Sequence, residues 1–215
     1  MEHRRIVITG LGAVTVLGSS VDQFWEGLLS GRSGVRRITQ FDPSALPCQI
    51  AGEIPDFNAE DYMERKEARR MARCAQISLG AATQALKDAG LPEIMPDPER
   101  AGVAFGTAIG GLERFIEGVY QMRERGLDRT NPFVIPSGIP NLSSYGIAKR
   151  FQALGPNCTI ATACATGTQA VGEGAEFIRR NKADIVLTGG TEALIQDFAI
   201  GGFCTMRAMP VNYND

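Results

Sequence analysis

Short apolar runs alternate with helix-like stretches along most of this chain, and this alternation restricts the possible folds more than any other feature. The runs at 6–9, 101–107, 158–163 and 184–188 have the length and apolar content of buried strands. Stretches with helical spacing of apolar residues fill most of the sequence between them. Strands that alternate with helices predict a layered α/β fold with a mainly parallel mixed sheet.

Five stretches show the apolar spacing of helices. The first runs from a capping box at Ser20 and Gln23 to Gly31. The longest covers 66–89 and is predicted to be one continuous helix. The tail at 198–215 is predicted to be loop-like, with weak strand character. The remaining helical stretches are 112–126, 143–152 and 165–181.

The composition excludes several classes of function. Of the 215 residues, 44% are hydrophobic and 21% are charged, and the net charge of −2 gives no reason to expect nucleic acid or a membrane surface as a partner. No apolar run approaches the roughly 20 residues that a membrane helix needs. The apolar run near the N-terminus is too short for a signal peptide, so the sequence predicts a cytoplasmic protein.

Cysteine and histidine usage narrows the chemistry further. The five cysteines include no Cys-x-x-Cys pair, which favours neither a disulfide framework nor a metal site. The single histidine, His3, lies in a charged terminus and is predicted to be solvated rather than catalytic. A cysteine hydrolase usually takes histidine as its base, so that class is disfavoured.

Cys164 lies where an apolar run ends and a helix-competent stretch begins. Backbone N–H groups in the first turn of a helix favour the thiolate, which attacks acyl groups, and they can also stabilise an oxyanion. The small residues Ala163, Ala165 and Gly167 leave room for a bulky acyl group. A buried, inert cysteine is the alternative reading of the same residues. The other four cysteines are predicted to be structural: Cys48, Cys74, Cys158 and Cys204.

Four blocks in the same order resemble the β-ketoacyl-[acyl-carrier-protein] synthases of the thiolase-like superfamily. Residues 162–167 (TACATG) are similar to the nucleophile motif of that family. Residues 5–15 are similar to its N-terminal strand and loop, and 106–111 and 189–193 are similar to two further blocks. The matching blocks are spread over the whole chain. Within the family, the sequence is most similar to the synthase II branch, which elongates fatty acids.

The resemblance implies that Cys164 is the nucleophile of a ping-pong reaction. An acyl chain passes from acyl carrier protein to Cys164. Malonyl carrier protein is then decarboxylated, and its carbanion attacks the thioester to give a 3-oxoacyl chain longer by two carbons. The Cys164 amide supplies half of the oxyanion hole, and no cofactor is needed beyond the phosphopantetheine of the carrier protein.

Length is the main departure from the family. Its members contain two similar halves that form an α/β/α/β/α arrangement, and the second half carries the two histidines and the lysine that assist decarboxylation. Residues 1–215 are therefore interpreted as one N-terminal domain, truncated before the C-terminal half. We expect this half alone not to carry out condensation.

The resemblance also implies an acyl pocket. Ile109 and Phe203 match positions that line it. Phe133 and Val134 match a segment that reaches the pocket across the interface of a homodimer. From the residues alone, plain core packing explains these apolar side chains equally well.

A basic run at 65–73 stands out in a slightly acidic chain. From the residues alone it is a solvated face. The resemblance implies instead a docking patch for the acidic acyl carrier protein, formed by Lys66, Arg69 and Arg70 with Arg129 and Arg207 as neighbours.

Two alternatives stay open at this point. A polyketide-type ketosynthase uses the same cysteine chemistry. A non-catalytic chain-length or scaffold subunit is the other possibility, but such relatives usually replace the nucleophile by glutamine, whereas this chain keeps Cys164.

Overall fold

A computed structural model describes residues 4–214, so His3 lies outside the described residues. The chain forms two compact units. The larger comprises 4–12 and 58–193, and the smaller comprises 13–57 and 194–214. None of the helices among the described residues is both long enough and apolar enough to cross a membrane.

Helices and strands are both numbered here along the chain, and at least one helix lies between successive strands of the larger unit. The helices are α1 (Val21–Leu29), α2 (Arg65–Ala68), α3 (Arg73–Asp88), α4 (Leu112–Arg125), α5 (Val134–Gly138), α6 (Leu142–Phe151), α7 (Thr166–Arg179) and α8 (Asp197–Thr205). The strands are β1 (Arg36–Arg37), β2 (Ile50–Ala51), β3 (Ala101–Gly106), β4 (Asn157–Ile160) and β5 (Ile185–Gly190).

A three-stranded parallel sheet forms the centre of the larger unit, in the order β4-β3-β5. Val103 pairs with Asn157 on one side of β3, and Ala101 pairs with Ile185 on the other. This confirms the predicted parallel sheet. All three strands run the same way, so their carboxyl ends lie at one edge.

The core of the larger unit lies on both faces of β3. All six of its residues are buried, which requires cover on both faces because successive side chains of a strand point in opposite directions. Ala104 packs with Ile160 and with Ala170 of α7. The helix α6 contributes Ile147 and Phe151, both almost completely buried.

The predicted helix over 66–89 is interrupted, which corrects the sequence interpretation. The helix α2 ends at Ala68, and α3 begins at Arg73 after an extended Ala72 (φ −66°, ψ 156°). The Arg73 N–H donates to the Glu113 carboxylate at 3.0 Å. A side chain 40 positions away therefore caps α3, and helical periodicity contains no signal for such a contact.

Residues 6–9 form no strand within the described part of the chain, contrary to the prediction. The two glycines that follow it lie against α3: a Cβ added at Gly10 or Gly12 would come within 2.1 Å or 1.9 Å of α3 carbonyl oxygens. Val7 and Ile8 are exposed, so this apolar run is not buried as a strand of the sheet would be. The pattern of apolar residues predicts a strand but does not identify its partner.

The smaller unit confirms the predicted cap of α1 and corrects the prediction for the tail. Ser20 Oγ accepts a hydrogen bond from the Gln23 N–H at 3.3 Å. The first part of the tail forms the helix α8, whose Ile200 is buried with Ile38 and Cys48, whereas 206–214 are irregular as predicted. Its two adjacent glycines lower helix propensity, but burial of an apolar face outweighs a weak local preference.

Candidate active site

Three loops leave the carboxyl edge of the sheet. Residues 107–111 follow β3, 161–165 follow β4 and 191–193 follow β5. Reactive groups in open α/β sheets collect beyond this edge, because the loops there converge from neighbouring strands. Cys164 lies in one of these loops, at a strand end as the sequence predicts, and Ile109 lies in another.

Cys164 occupies the middle of a 3₁₀ turn, Ala163–Ala165, between β4 and α7. Its placement between strand and helix is confirmed, with one extra turn separating the two elements. Cys164 is exposed, so the alternative of a buried, inert cysteine is wrong for this residue. Cys48 and Cys74 are buried, and Cys158 and Cys204 are half-buried.

The backbone of this turn adopts an uncommon conformation. Ala163 has φ +51°, in the left-handed region that side chains disfavour. Two hydrogen bonds span the turn: the Thr162 N–H donates to Thr166 Oγ1 at 2.8 Å, and the Ala165 N–H donates to the Thr162 carbonyl at 3.1 Å. Such conformations persist only where the surroundings hold them, and they are frequent at functional sites.

Two glycines allow α7 to begin very close to the end of β5. A Cβ added at Gly190 would lie 2.9 Å from the Cα of Gly167. Any side chain at Gly190 would therefore push the first turn of α7 away from the strand. The close approach fixes the start of the helix at the carboxyl edge, beside the turn that contains Cys164.

The loop with Ile109 is held by Glu192, a role that sequence reasoning missed. The Glu192 carboxylate accepts hydrogen bonds from the N–H groups of Ala108 at 3.1 Å and Ile109 at 3.2 Å. It also accepts one from the hydroxyl of Thr107, which is buried. Glu192 thus joins the loop after β5 to the loop after β3. The signal available in the sequence was an acidic residue two positions after the Gly-Gly end of a strand.

A buried acidic group lies behind this edge. Burial raises the pKa of Glu113, although the Arg73 N–H opposes that effect. Burial, together with the charges of Glu113 and Glu192, raises the pKa of Cys74 to about 12. Cys74 is therefore a neutral thiol at physiological pH, in keeping with a structural role.

The structure brings three of the predicted docking residues together. Lys66, Arg69 and Arg70 line a cleft of about 500 Å³ on the larger unit. Phe133 lines the same cleft, and the Arg70 guanidinium lies over its ring, 4.3 Å from the centroid. A cation held over an aromatic face is attracted by the ring quadrupole, so Phe133 orients one of the basic side chains.

The other predicted residues are more scattered. Val134 begins α5 and packs so closely on α4 that a Cβ added at Gly118 would lie 2.5 Å from its methyl carbon. Arg129 ends the 3₁₀ turn Leu127–Arg129 of the same unit. Phe203 lies in α8, and Arg207 follows that helix; both belong to the smaller unit.

Comparison with known proteins gives a family match over almost the whole chain. Residues 3–214 match the family described as "Beta-ketoacyl synthase, N-terminal domain". The 3-oxoacyl-[acyl-carrier-protein] synthase 2 of Staphylococcus aureus (strain COL) is 41% identical over 211 residues, which is 98% of this chain and 51% of that protein. The synthase 2 of Synechocystis sp. is 38% identical, over 100% of this chain and 52% of its own. The chain spans about half the length of these curated relatives.

Solved structures give the same result for the fold. The ishigamide ketosynthase/chain length factor aligns with a TM-score of 0.86 and 31% identity, over 97% of this chain and 52% of that one. A β-ketoacyl synthase from Burkholderia phymatum STM815 aligns with a TM-score of 0.83 and 30% identity, over 99% and 52%. These likenesses confirm the predicted thiolase-like layered fold.

Proposed function

This chain belongs to the family of the β-ketoacyl synthase N-terminal domain, and from that premise we propose that it is the acyl-accepting half of a 3-oxoacyl-[acyl-carrier-protein] synthase of fatty-acid elongation. The observation that carries the proposal is an exposed Cys164 on a left-handed turn at the carboxyl edge of the sheet. The curated relatives, named as synthase 2, support the same activity.

The first half-reaction forms a thioester on Cys164. Its thiolate attacks the carbonyl carbon of an acyl thioester carried on phosphopantetheine, and the carbonyl oxygen becomes an oxyanion. The Cys164 N–H donates to that oxyanion. The carbon–sulfur bond to phosphopantetheine then breaks, the departing thiolate takes a proton, and the acyl group stays on Cys164.

The second half-reaction lengthens the chain by two carbons. Malonyl carrier protein loses CO₂, its carbanion attacks the Cys164 thioester, and the Cys164 thiolate leaves as 3-oxoacyl carrier protein forms. No cofactor takes part in either step. The resemblance assigns the groups that assist decarboxylation to a second half, and His3 is the only histidine here. The 215-residue chain on its own is therefore proposed to accept an acyl group without condensing it.

The acyl pocket is proposed to include Ile109, Phe203, Phe133 and Val134. The best-supported member is Ile109, which is 39% exposed in the loop held by Glu192. Phe133 contacts Arg70 as well, so it is proposed to lie where the carrier-protein arm enters. Phe203, from the smaller unit, is included because of the family resemblance. The same holds for Phe133 and Val134, which the resemblance assigns to a segment that crosses the interface of a homodimer.

The partner is proposed to be acyl carrier protein. Lys66, Arg69 and Arg70 line one cleft and carry the charge that an acidic carrier protein complements. Arg129 and Arg207 are proposed as neighbours of this surface. A cytoplasmic homodimer is proposed as the working form, with neither nucleic acid nor membrane as a partner.

The other readings of the sequence are less well supported. The curated relatives are named as synthase 2 rather than as polyketide enzymes. Cys164 is retained and exposed, which disfavours a non-catalytic subunit.

Intact-mass measurement after incubation with an acyl carrier-protein thioester tests the proposal. We expect one acyl adduct, located on Cys164 by peptide mapping and absent from Cys164→Ala. Cys204→Ala is the matched control, because this half-buried cysteine belongs to the other unit, and its adduct should be unchanged. No adduct on the unaltered chain would refute Cys164 as the acyl acceptor. A 3-oxoacyl product from this chain alone would refute the proposal that it accepts an acyl group without condensing it.

A further inference from the structure

Thr166 combines burial with a hydrogen bond across the turn that presents Cys164. It is the first residue of α7 and is 4% exposed. Its Oγ1 accepts the Thr162 N–H at 2.8 Å. By contrast, residues 161–165 are all exposed, so the turn has little packing of its own.

The two ends of the Thr166 side chain have separate partners. The methyl group lies against the end of β3, where a Cβ added at Gly106 would be 2.4 Å from Cγ2. The hydroxyl accepts the hydrogen bond from the backbone of Thr162. The side chain therefore ties the turn to both the helix and the central strand.

The hydrogen bond acts on the strained part of the turn. It begins one residue before Ala163, whose φ is +51°, and ends three residues after it. A left-handed alanine is less stable than the right-handed conformer, and the turn relaxes if its closing contacts are removed. The Ala165 N–H to Thr162 carbonyl bond closes the turn from the other side.

We propose that Thr166 is a positioning residue: its buried hydroxyl holds the 162–165 turn in the geometry that presents Cys164 to an acyl donor. This inference rests on the proposed role of Cys164 as nucleophile. Thr166 itself touches no reacting atom, and its effect passes through the backbone of the turn.

Two matched pairs of variants separate the hydroxyl from the packing. The first pair is the unaltered chain and Thr166→Val, which keeps the branched side chain and removes the hydroxyl. The second pair is Thr166→Ser and Thr166→Ala, which both lack the methyl group and differ in the hydroxyl alone. In each variant of the full chain, iodoacetamide alkylation of Cys164 is followed over time by peptide mass spectrometry, with Cys204 of the other unit as internal reference.

Loss of the hydroxyl should lower the alkylation rate of Cys164 about fivefold in each pair, since a buried hydrogen bond contributes about 1 kcal/mol. Thr166→Ser should restore a rate close to that of the unaltered chain, and the Cys204 rate should stay constant. If Thr166→Val opens the larger unit, which faster labelling of its buried Cys74 would reveal, the Ser and Ala pair decides. Equal Cys164 rates within the pairs that remain folded would overturn the inference.

A second measurement keeps this inference separate from the proposed function. The same variants are incubated with the acyl carrier-protein thioester, and the Cys164 adduct is quantified. No adduct on the unaltered chain contradicts the proposed function. An adduct that forms equally fast in the unaltered chain and in Thr166→Val contradicts the role of Thr166 alone.

Discussion

At the scale of single residues, the surroundings of each cysteine decide its chemistry. Cys164 is exposed on a turn between strand and helix, whereas Cys74 is buried near Glu113 and Glu192. The raised pKa of Cys74, about 12, keeps its thiol protonated at every pH at which the protein is handled. Two cysteines of one chain thus differ in their access to solvent.

This contrast predicts an order of labelling. Iodoacetamide at neutral pH should modify Cys164 first, and Cys74 should react only after unfolding in urea, because burial excludes the reagent and disfavours the thiolate. Peptide mass spectrometry over a time course measures both rates. Early modification of Cys74 in the folded chain would contradict the burial and the pKa described for it.

A second prediction at this scale concerns Ile109. Ile109→Phe should shorten the longest acyl chain that Cys164 accepts, because the larger side chain fills the proposed pocket. Mass spectrometry with a series of acyl thioesters of increasing length measures the limit. Ile94→Phe, at an exposed position of the same unit, is the control. An unchanged length limit in Ile109→Phe would exclude Ile109 from the pocket.

The sequence predicts the residues of the candidate site better than the contacts that hold them. Cys164 was predicted at a strand end and lies at the carboxyl edge of the sheet, where Ile109 also lies. The roles of Glu192 and Thr166 depend on hydrogen bonds; the bond from the Ile109 N–H to Glu192 joins residues 83 positions apart. A single sequence does not show which distant loops meet.

At the scale of elements, tertiary contacts override local pattern in three places. The Glu113 carboxylate caps α3 and divides the predicted long helix. Burial of Ile200 makes a helix of the tail. The apolar run at 6–9 forms no strand, and the glycines that follow it, Gly10 and Gly12, lie against α3. The strands at the centre of the sheet were predictable because continuous apolar runs report burial on both faces.

The buried cap of α3 predicts an unusual pH dependence. Because the folded state raises the pKa of Glu113, its stabilising effect is greatest at low pH and is lost as the pH rises through the raised value. Glu113→Gln keeps an acceptor for Arg73 and removes the titration. Its free energy of unfolding relative to the unaltered chain, from urea melts, should therefore rise as the pH increases above the ordinary pKa of a glutamate. A constant difference would contradict a raised pKa.

The lowered pKa of Asp184 predicts that the stability of the segment at 4–12 has the opposite pH dependence. Hydrogen bonds from Arg100 and Arg4 hold the pKa of Asp184 well below its usual range. Its contribution is therefore present above the ordinary pKa of an aspartate and is lost as the pH falls through the lowered value. Asp184→Asn should speed amide hydrogen exchange in 6–12, whereas Asp128→Asn should not. Unchanged exchange would mean that packing on α3 alone holds the segment.

At the scale of the whole molecule, charge is distributed unevenly. The chain carries a net charge of −2, yet four basic side chains line one cleft with Phe133 and a single acidic one, Glu64. Such a patch steers an acidic partner and depends on ionic strength, because exposed charges are screened by salt.

Charge reversal tests this surface. Arg69→Glu with Arg70→Glu should weaken binding of acyl carrier protein about tenfold at low salt, and the difference should shrink at high salt. Titration followed by fluorescence anisotropy measures both dissociation constants. Arg123→Glu, an exposed basic residue on α4, is the control. Equal affinities for the double variant and the control would exclude the cleft as the docking site.

The smaller unit combines two segments of the chain that a ribosome makes at different times. Residues 13–57 form that unit with 194–214, and the Gln49 N–H bonds to Asn214, 165 positions later. At about 5–20 residues per second, a ribosome needs roughly 10–30 s to make the intervening sequence. During that interval the partners that Ile38 and Cys48 take from the later segment, such as Ile200, do not yet exist. The apolar surface of 13–57 is therefore the part of the nascent chain that a co-translational chaperone would have most time to bind.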